Sequence, residues 1–273
     1  MSKRYRRKNN TFAFYAITVL LIVATLGTLG GVTDSKLSSS ERVERIPSMS
    51  LGNGGDEIYI SFLGDSITTY AGYSDNVSYN ASLSGSKSYY KLSKMSVQGT
   101  WWYQSMTALG MKLCVNNSFS AGRVSERTSD IPSGVERSRQ LHNASGKTPD
   151  VIVVYLGTND IGNGIELSVF ETAYEEMLSN IATSYPKATV YCCTLLPEGR
   201  TEGKETELNE YNAVIRSSSE KVGFEIIDFY AEISDWDYMQ HTFEDVDLRV
   251  HPNALGMDKL AACVISAIKG QNK

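Results

Sequence analysis

The chain has 273 residues, 41% of them hydrophobic and 21% charged, with 6 Pro and 22 Gly. These proportions exclude a disordered, collagen-like or disulfide-scaffold protein and leave apolar mass for one sizeable core. The net charge is −5, but five basic residues crowd the stretch from Lys3 to Lys8, so the remainder carries a formal −10 and makes a poor partner for nucleic acid.

Behind the basic tail of residues 1–11, Phe12 to Val32 runs for 21 residues without a charge. As a helix at ~1.5 Å per residue it would reach ~30 Å, the thickness of a bilayer's hydrocarbon core. A buried core helix does not fit, because the run has no polar face and follows five positive charges directly. A cleaved signal peptide and an uncleaved signal anchor both remain. The run exceeds the usual ~7–15-residue signal-peptide core and shows no clean small-x-small cleavage site, which favours the transmembrane anchor. Positive-inside bias then puts residues 1–11 in the cytoplasm and the rest outside; cleavage would instead secrete the protein. Residues 33–55, rich in Ser, Gly and charge, read as a flexible linker, and 56–273 as the folded domain.

Five strand-like runs follow: Ile58–Leu63, Lys112–Asn116, Val151–Leu156, Thr189–Leu196 and Phe224–Phe229. The third (VIVVYL) is β-branched and apolar throughout, as a central parallel strand requires. Helical spacing marks Trp101–Leu109, Leu167–Tyr185, Glu207–Val222 and Asn253–Ile268; in the second, Phe170, Tyr174, Met177 and Ile181 share one side. Alternating strands and helices predict a three-layer α/β/α domain with a five-stranded parallel sheet, whose site lies at the carboxyl ends of the strands. Tyr70–Ser96, rich in Ser, Tyr and Asn, is a long polar excursion soon after the first strand. Cys192 and Cys193 are adjacent in a strand and should face opposite sides, while Cys114 and Cys263 also sit in apolar segments; buried free thiols are the favoured reading, with a disulfide as the alternative. No zinc-site spacing is present, and no metal or organic cofactor is implied.

The residues after the strands carry the chemistry. The first strand runs into Gly64-Asp65-Ser66-Ile67-Thr68, the second into Asn116-Asn117-Ser118-Phe119-Ser120-Ala121-Gly122-Arg123, and the third into Gly157-Thr158-Asn159-Asp160. His251-Pro252-Asn253 precedes the last helix. Each block alone is weak, and Ser66 or Asn159 alone would read as a turn or cap residue. Together, in this order, they resemble the SGNH, or GDSL-type, hydrolases, with FLGDSITTYAGYS, TWWYQ, NNSFSAGRV and YCCTLLPEGR similar to a bacterial esterase branch. The resemblance implies a flavodoxin-like fold, Ser66 as nucleophile, His251 as base, and Gly122 and Asn159 in the oxyanion hole.

The residues support these roles independently. A serine hydroxyl needs a base within hydrogen-bond reach. Of the three histidines, His142 lies in a polar stretch and His241 follows no strand. His251 alone precedes a proline that can open a helix at its first turn and fix the ring at the mouth of the sheet. The oxyanion needs preorganised donors: the N–H of Ser66, the N–H of Gly122, where a missing Cβ would let substrate approach, and the uncharged amide of Asn159. Asp65 and Asp160 should hold loop backbone, Arg123 should pair with a loop acid, and Trp101 and Trp102 should be core or groove wall.

One position departs from the family pattern. The family's orienting aspartate stands three residues before the histidine, where this chain has Leu248. Either Asp247 reaches the histidine from a loop one residue longer, or a Ser–His pair works with a backbone carbonyl or Asp245 orienting the ring. Asp247 is the favoured candidate.

The expected activity is an extracytoplasmic serine esterase that removes small acyl groups, chiefly acetyl, from an acylated glycan. A lipase or lysophospholipase of the same family and an inactive surface-binding module are the alternatives. The SxxK matches at Ser84-Gly85-Ser86-Lys87 and Ser88-Tyr89-Tyr90-Lys91 lack the accompanying penicillin-binding motifs, and Gly146-Lys147-Thr148 lacks the first glycine of a phosphate loop.

Overall fold

The computed structural model describes residues 57–70, 73, 95–243 and 249–270. The apolar run 12–32, the linker 33–55 and most of the Tyr70–Ser96 excursion lie outside them. Among the described residues no helix is long and apolar enough to cross a membrane.

The strands are β1 (Tyr59–Gly64), β2 (Lys112–Ser118), β3 (Val151–Tyr155), β4 (Thr189–Cys193) and β5 (Glu225–Ile227). All pairings are parallel, and the order is β2-β1-β3-β4-β5. Every residue of β3 is buried, which is why that strand reads as a continuous apolar run without alternation. Connecting them are α1 (Trp101–Ala108), α2 (Gly134–Arg137), α3 (Thr158–Gly162), α4 (Leu167–Ser184), α5 (Glu205–Val222), α6 (Phe229–Glu232), α7 (Tyr238–His241) and α8 (Ala254–Gly270).

The adjacent cysteines report the three layers. Cys192 faces Tyr174 of α4 and Ser219 of α5, whereas Cys193 faces Cys263 of α8 on the other side. All four cysteines are buried and free, and burial pushes each thiol pKa upward. On the α4/α5 side, Phe170, Tyr174, Met177 and Ile181 are all fully buried. Phe170 stacks on Tyr211 at 4.4 Å between centroids and so joins α4 to α5. On the α1/α8 side, Trp101 meets Phe62, Tyr155 and Phe229 edge-on, as a core residue of that layer.

Three strands stop earlier than their apolar runs predict, β3 by a single residue and β4 and β5 by more. Beyond β4, the side-chain amide of Asn212 takes both backbone groups of Leu195, at 2.7 and 2.9 Å, and replaces the ladder there. Beyond β5, Asp228 accepts from the Ala231 N–H and caps α6.

Truncating Phe170 to Ala removes the ring that bridges α4 and α5 and leaves a cavity the rigid sheet cannot close. The expected loss is about 3–5 kcal/mol, read as a lower urea midpoint at unchanged m-value.

Candidate active site

The chain passes from β1 outward to β2 and returns past β1 to β3, so the crossovers diverge between β1 and β3 and open a crevice at their carboxyl ends. Gly64 is level with Ser118 of β2 and Tyr155 of β3, which brings the three segments that follow to one edge of the sheet. After β1 the chain turns sharply, with the N–H groups of Thr68 and Thr69 both donating to the Asp65 carbonyl. The Asp65 carboxylate accepts the Ile67 N–H at 2.9 Å, and Asn116 donates to the Thr68 carbonyl at 2.9 Å. A Cβ on Gly64 would lie 2.5 Å from Thr68 Oγ1, so a glycine is required for this turn to close. Its product is the placement of Ser66.

His251 reaches that serine from 185 residues away: its Nε2 lies 2.8 Å from Ser66 Oγ. With the ring proton on Nδ1, Nε2 accepts the serine hydroxyl hydrogen. An antiparallel bridge between Thr242 and Pro252 supports the segment, with Phe243 N–H donating to the His251 carbonyl and Asn253 N–H to the His241 carbonyl. Pro252 belongs to this bridge and not, as expected, to the first turn of the helix. The cap of α8 is Asn253, whose side chain accepts the Gly256 N–H at 3.1 Å. Arg249 holds φ at +56°, a left-handed conformation costing about 1–3 kcal/mol, two residues before the imidazole. Its carbonyl accepts the Gly199 N–H from the turn after β4.

The other histidines are engaged elsewhere. His142 is exposed, with Nδ1 3.2 Å from the Tyr185 hydroxyl. His241 is buried, stacks on Trp236, and accepts the Asp237 N–H at Nδ1. Asp247 and Asp245, the two acids weighed as orienting groups, lie outside the described residues.

Ser66, Asn159 and His251 are 8%, 6% and 9% exposed, so the site sits just below the surface. Gly157 with φ at +135° starts α3 and turns the chain so that Asn159 donates from Nδ2 to the Gly122 carbonyl at 3.0 Å. Asp160 beside it accepts the N–H groups of Val124 and Ser125 and the Ser125 hydroxyl, tying the β2 loop to α3. Gly122 differs from expectation. Its N–H closes a turn onto the Phe119 carbonyl at 3.0 Å, and a Cβ there would lie 2.9 Å from that carbonyl and 3.0 Å from Arg137 Nη2. The glycine is demanded by packing beneath the loop, where substrate approach was the expected reason. Arg123 pairs with Glu126, as expected.

Two arginines were not singled out from sequence. Arg137 is fully buried and donates to the carbonyls of Gly64, Asn117 and Pro132, pinning the ends of β1 and β2. In GVERSRQ it has the setting of a surface residue, and only the capping box of Ser133 and Glu136 marks the turn that carries it inward. Arg200 donates to Glu198, to Asn159 Oδ1 and to the Thr158 carbonyl. Among the described residues no group of three His, Cys, Asp or Glu side chains is arranged to hold a metal ion.

A model of the GDSL-like lipase/acylhydrolase family matches residues 62–259. The fold is similar to a candidate GDSL-like lipase from Bacteroides ovatus, with a TM-score of 0.57 and 20% identity over 79% of this chain and 100% of that one. It is similar also to a lipase/acylhydrolase from Enterococcus faecalis, with a TM-score of 0.53 and 19% identity over 78% and 96% of the two chains. A 46-residue stretch is 39% identical to part of the cellulase/esterase CelE of Acetivibrio thermocellus, 16% of this chain and 6% of that protein.

Asp65 is the buried acid nearest the serine. Burial raises its pKa to about 6, against the Ile67 N–H and the neighbouring side chains of His251, Arg200 and Arg137, which favour the carboxylate. A raised carboxyl pKa means that the folded state holds this proton more tightly than the unfolded one. Its contribution therefore falls as pH rises from about 4 to about 6 and is constant above. Asp65→Asn keeps an acceptor for Ile67 but cannot ionise. Urea unfolding at pH 4, 5, 6 and 7 is expected to show wild type losing stability relative to Asp65→Asn across that window.

Proposed function

The chain belongs to the GDSL-like lipase/acylhydrolase family and is a carboxylic ester hydrolase, and on that premise we propose that Ser66 is its nucleophile and His251 its general base. The observation that carries this reading is the 2.8 Å separation of His251 Nε2 and Ser66 Oγ. A serine and an imidazole held in contact below the surface at a sheet's switch point are what nucleophilic acyl transfer requires.

In the proposed reaction, Ser66 Oγ attacks the ester carbonyl while His251 Nε2 takes its proton. The oxyanion is met by the backbone N–H of Ser66, which has no acceptor among the described residues, and by the second Nδ2 hydrogen of Asn159. Gly122 joins only as a shared donor, since its N–H also serves Phe119. Collapse of the tetrahedral intermediate returns the proton from His251 to the leaving alkoxide and leaves an acyl-Ser66. Water then attacks with His251 again as base, releasing the carboxylic acid and restoring both residues. Asp247 is assigned the orientation of the imidazole.

A small acyl group on a carbohydrate is the substrate this reading favours. Tyr70, Tyr73 and Tyr103 are half-buried, and Tyr73 meets the other two edge-to-face on the chain leaving Ser66 and on α1; aromatic faces with hydroxyl tips suit a hydrated ligand. The polar composition of Tyr70–Ser96 and the short likeness to a cellulase/esterase point the same way. The charge-free run 12–32 behind a basic tail supports an enzyme held outside the cytoplasmic membrane by its N-terminus.

Hydrolysis of p-nitrophenyl esters of rising chain length, with acetate release from acetylated glycans, tests the reading. Ser66→Ala and His251→Ala are each expected to lower kcat by about 10⁴-fold or more. Asp247→Ala is expected to cost about 10²-fold or more, and a loss under about tenfold assigns ring orientation to another group. Preference for acetyl supports the glycan substrate; preference for long chains replaces it with a lipid one.

A further inference from the structure

An asparagine amide serves an oxyanion in only one of its two flips, with nitrogen and not oxygen toward the substrate. Two partners select the flip of Asn159. The Gly122 carbonyl can only accept, so at 3.0 Å it faces Nδ2; the Arg200 guanidinium can only donate, so Nη1 at 3.3 Å faces Oδ1. Arg200 is held in turn. Its Nε donates to both carboxylate oxygens of the buried Glu198, at 2.9 and 3.1 Å, and Nη2 donates to the Thr158 carbonyl at 3.4 Å. The guanidinium lies directly over Gly162, where a Cβ would sit 2.8 Å from Cζ and 2.9 Å from Nη1. The turn that carries it, Gly199–Thr201, also donates from Gly199 N–H to the Arg249 carbonyl, beside the His251 segment.

We propose that Arg200 is a positioning residue for ester hydrolysis: it holds Asn159 Oδ1 so that the free Nδ2 hydrogen is aimed where the oxyanion forms. The proposal rests on the serine-hydrolase reading above. Arg200 need not touch substrate; three of its nitrogens are committed to Glu198, Asn159 and Thr158, and its effect passes through the amide.

The test is steady-state hydrolysis of p-nitrophenyl acetate by the full chain and by Arg200→Gln, Gly162→Ala, Asn159→Ala and the Asn159→Ala/Arg200→Gln double variant. Removing one oxyanion donor costs about 10²–10³-fold in kcat, so misaiming a donor that is still present is expected to cost about tenfold, with KM within about twofold. Gly162→Ala keeps the arginine but displaces its flexible end, and should show the same kcat-selective loss without a lower melting temperature. In the Asn159→Ala background, Arg200→Gln should cost nothing further. Unchanged kcat in Arg200→Gln, or an equal loss in both backgrounds, overturns the proposal; if Arg200→Gln fails to fold, Gly162→Ala decides it. Solvent exchange of the Asn159 side-chain amide protons, followed by NMR, should accelerate in both single variants, and unchanged exchange also overturns it. A Ser66→Ala variant as active as wild type would refute the hydrolytic reading instead, with the exchange readout left to judge the positioning.

Discussion

The site depends on one contact between distant parts of the chain, a hydroxyl and an imidazole 185 positions apart and 2.8 Å from each other. Neither partner can be moved independently. Ser66 is fixed by a turn in which the N–H groups of Ile67, Thr68 and Thr69 all point back to Asp65, and His251 by a bridge between Thr242 and Pro252 clasped by hydrogen bonds on both sides. The sheet sets the distance between them, because β1 delivers the serine from inside the sheet while α8, packed on α1, holds the histidine segment that precedes it. A hydrogen bond of this kind contributes little net stability. Its geometry is imposed by the core rather than made by the pair.

Beneath the pair lies an unusual density of buried charge. Asp65, Arg137 and Asp160 are all fully buried, and each would be costly alone. The cost is met in part, chiefly by backbone groups rather than by direct ion pairs, and Asp65 Oδ2 and Arg137 Nη2 have no hydrogen-bond partner among the described residues. Arg137 gives its hydrogens to three carbonyls, and Asp160 takes three donors from the β2 loop. Burial still lowers the Arg137 pKa to about 10 and raises that of Asp160. These groups act as ties at strand ends where the ladder has stopped and no regular structure satisfies the backbone. They keep the loops that carry Ser66, Gly122 and Asn159 from relaxing apart.

Much of this was legible along the chain. The strand and helix runs are found within a few residues of their predicted bounds, because apolar period reflects burial against neighbouring layers and those layers exist. Cys192 and Cys193 face opposite sides for the plain reason that a strand alternates. The errors are instructive. Pro252 precedes a proper helix cap, Asn253, and serves a bridge that no local pattern announces. Gly122 is required because Arg137 and the Phe119 carbonyl fill the space a methyl would need. The β4 run overshoots because an asparagine on α5 imitates the next strand.

Periodicity and residue type alone specified the layers and the order of the blocks, since each of those follows from neighbours a few positions away, while Ser66 and His251 were singled out by the resemblance that the blocks carry together. Which buried polar groups meet was decided by the folded chain. Arg137 and Gly64 are 73 residues apart, and Arg200 and Asn159 are 41 apart; nothing local distinguishes these arginines from solvated ones. A charged side chain turns inward only when the folded chain presents acceptors at the right distance, and that depends on contacts the linear order of residues does not contain.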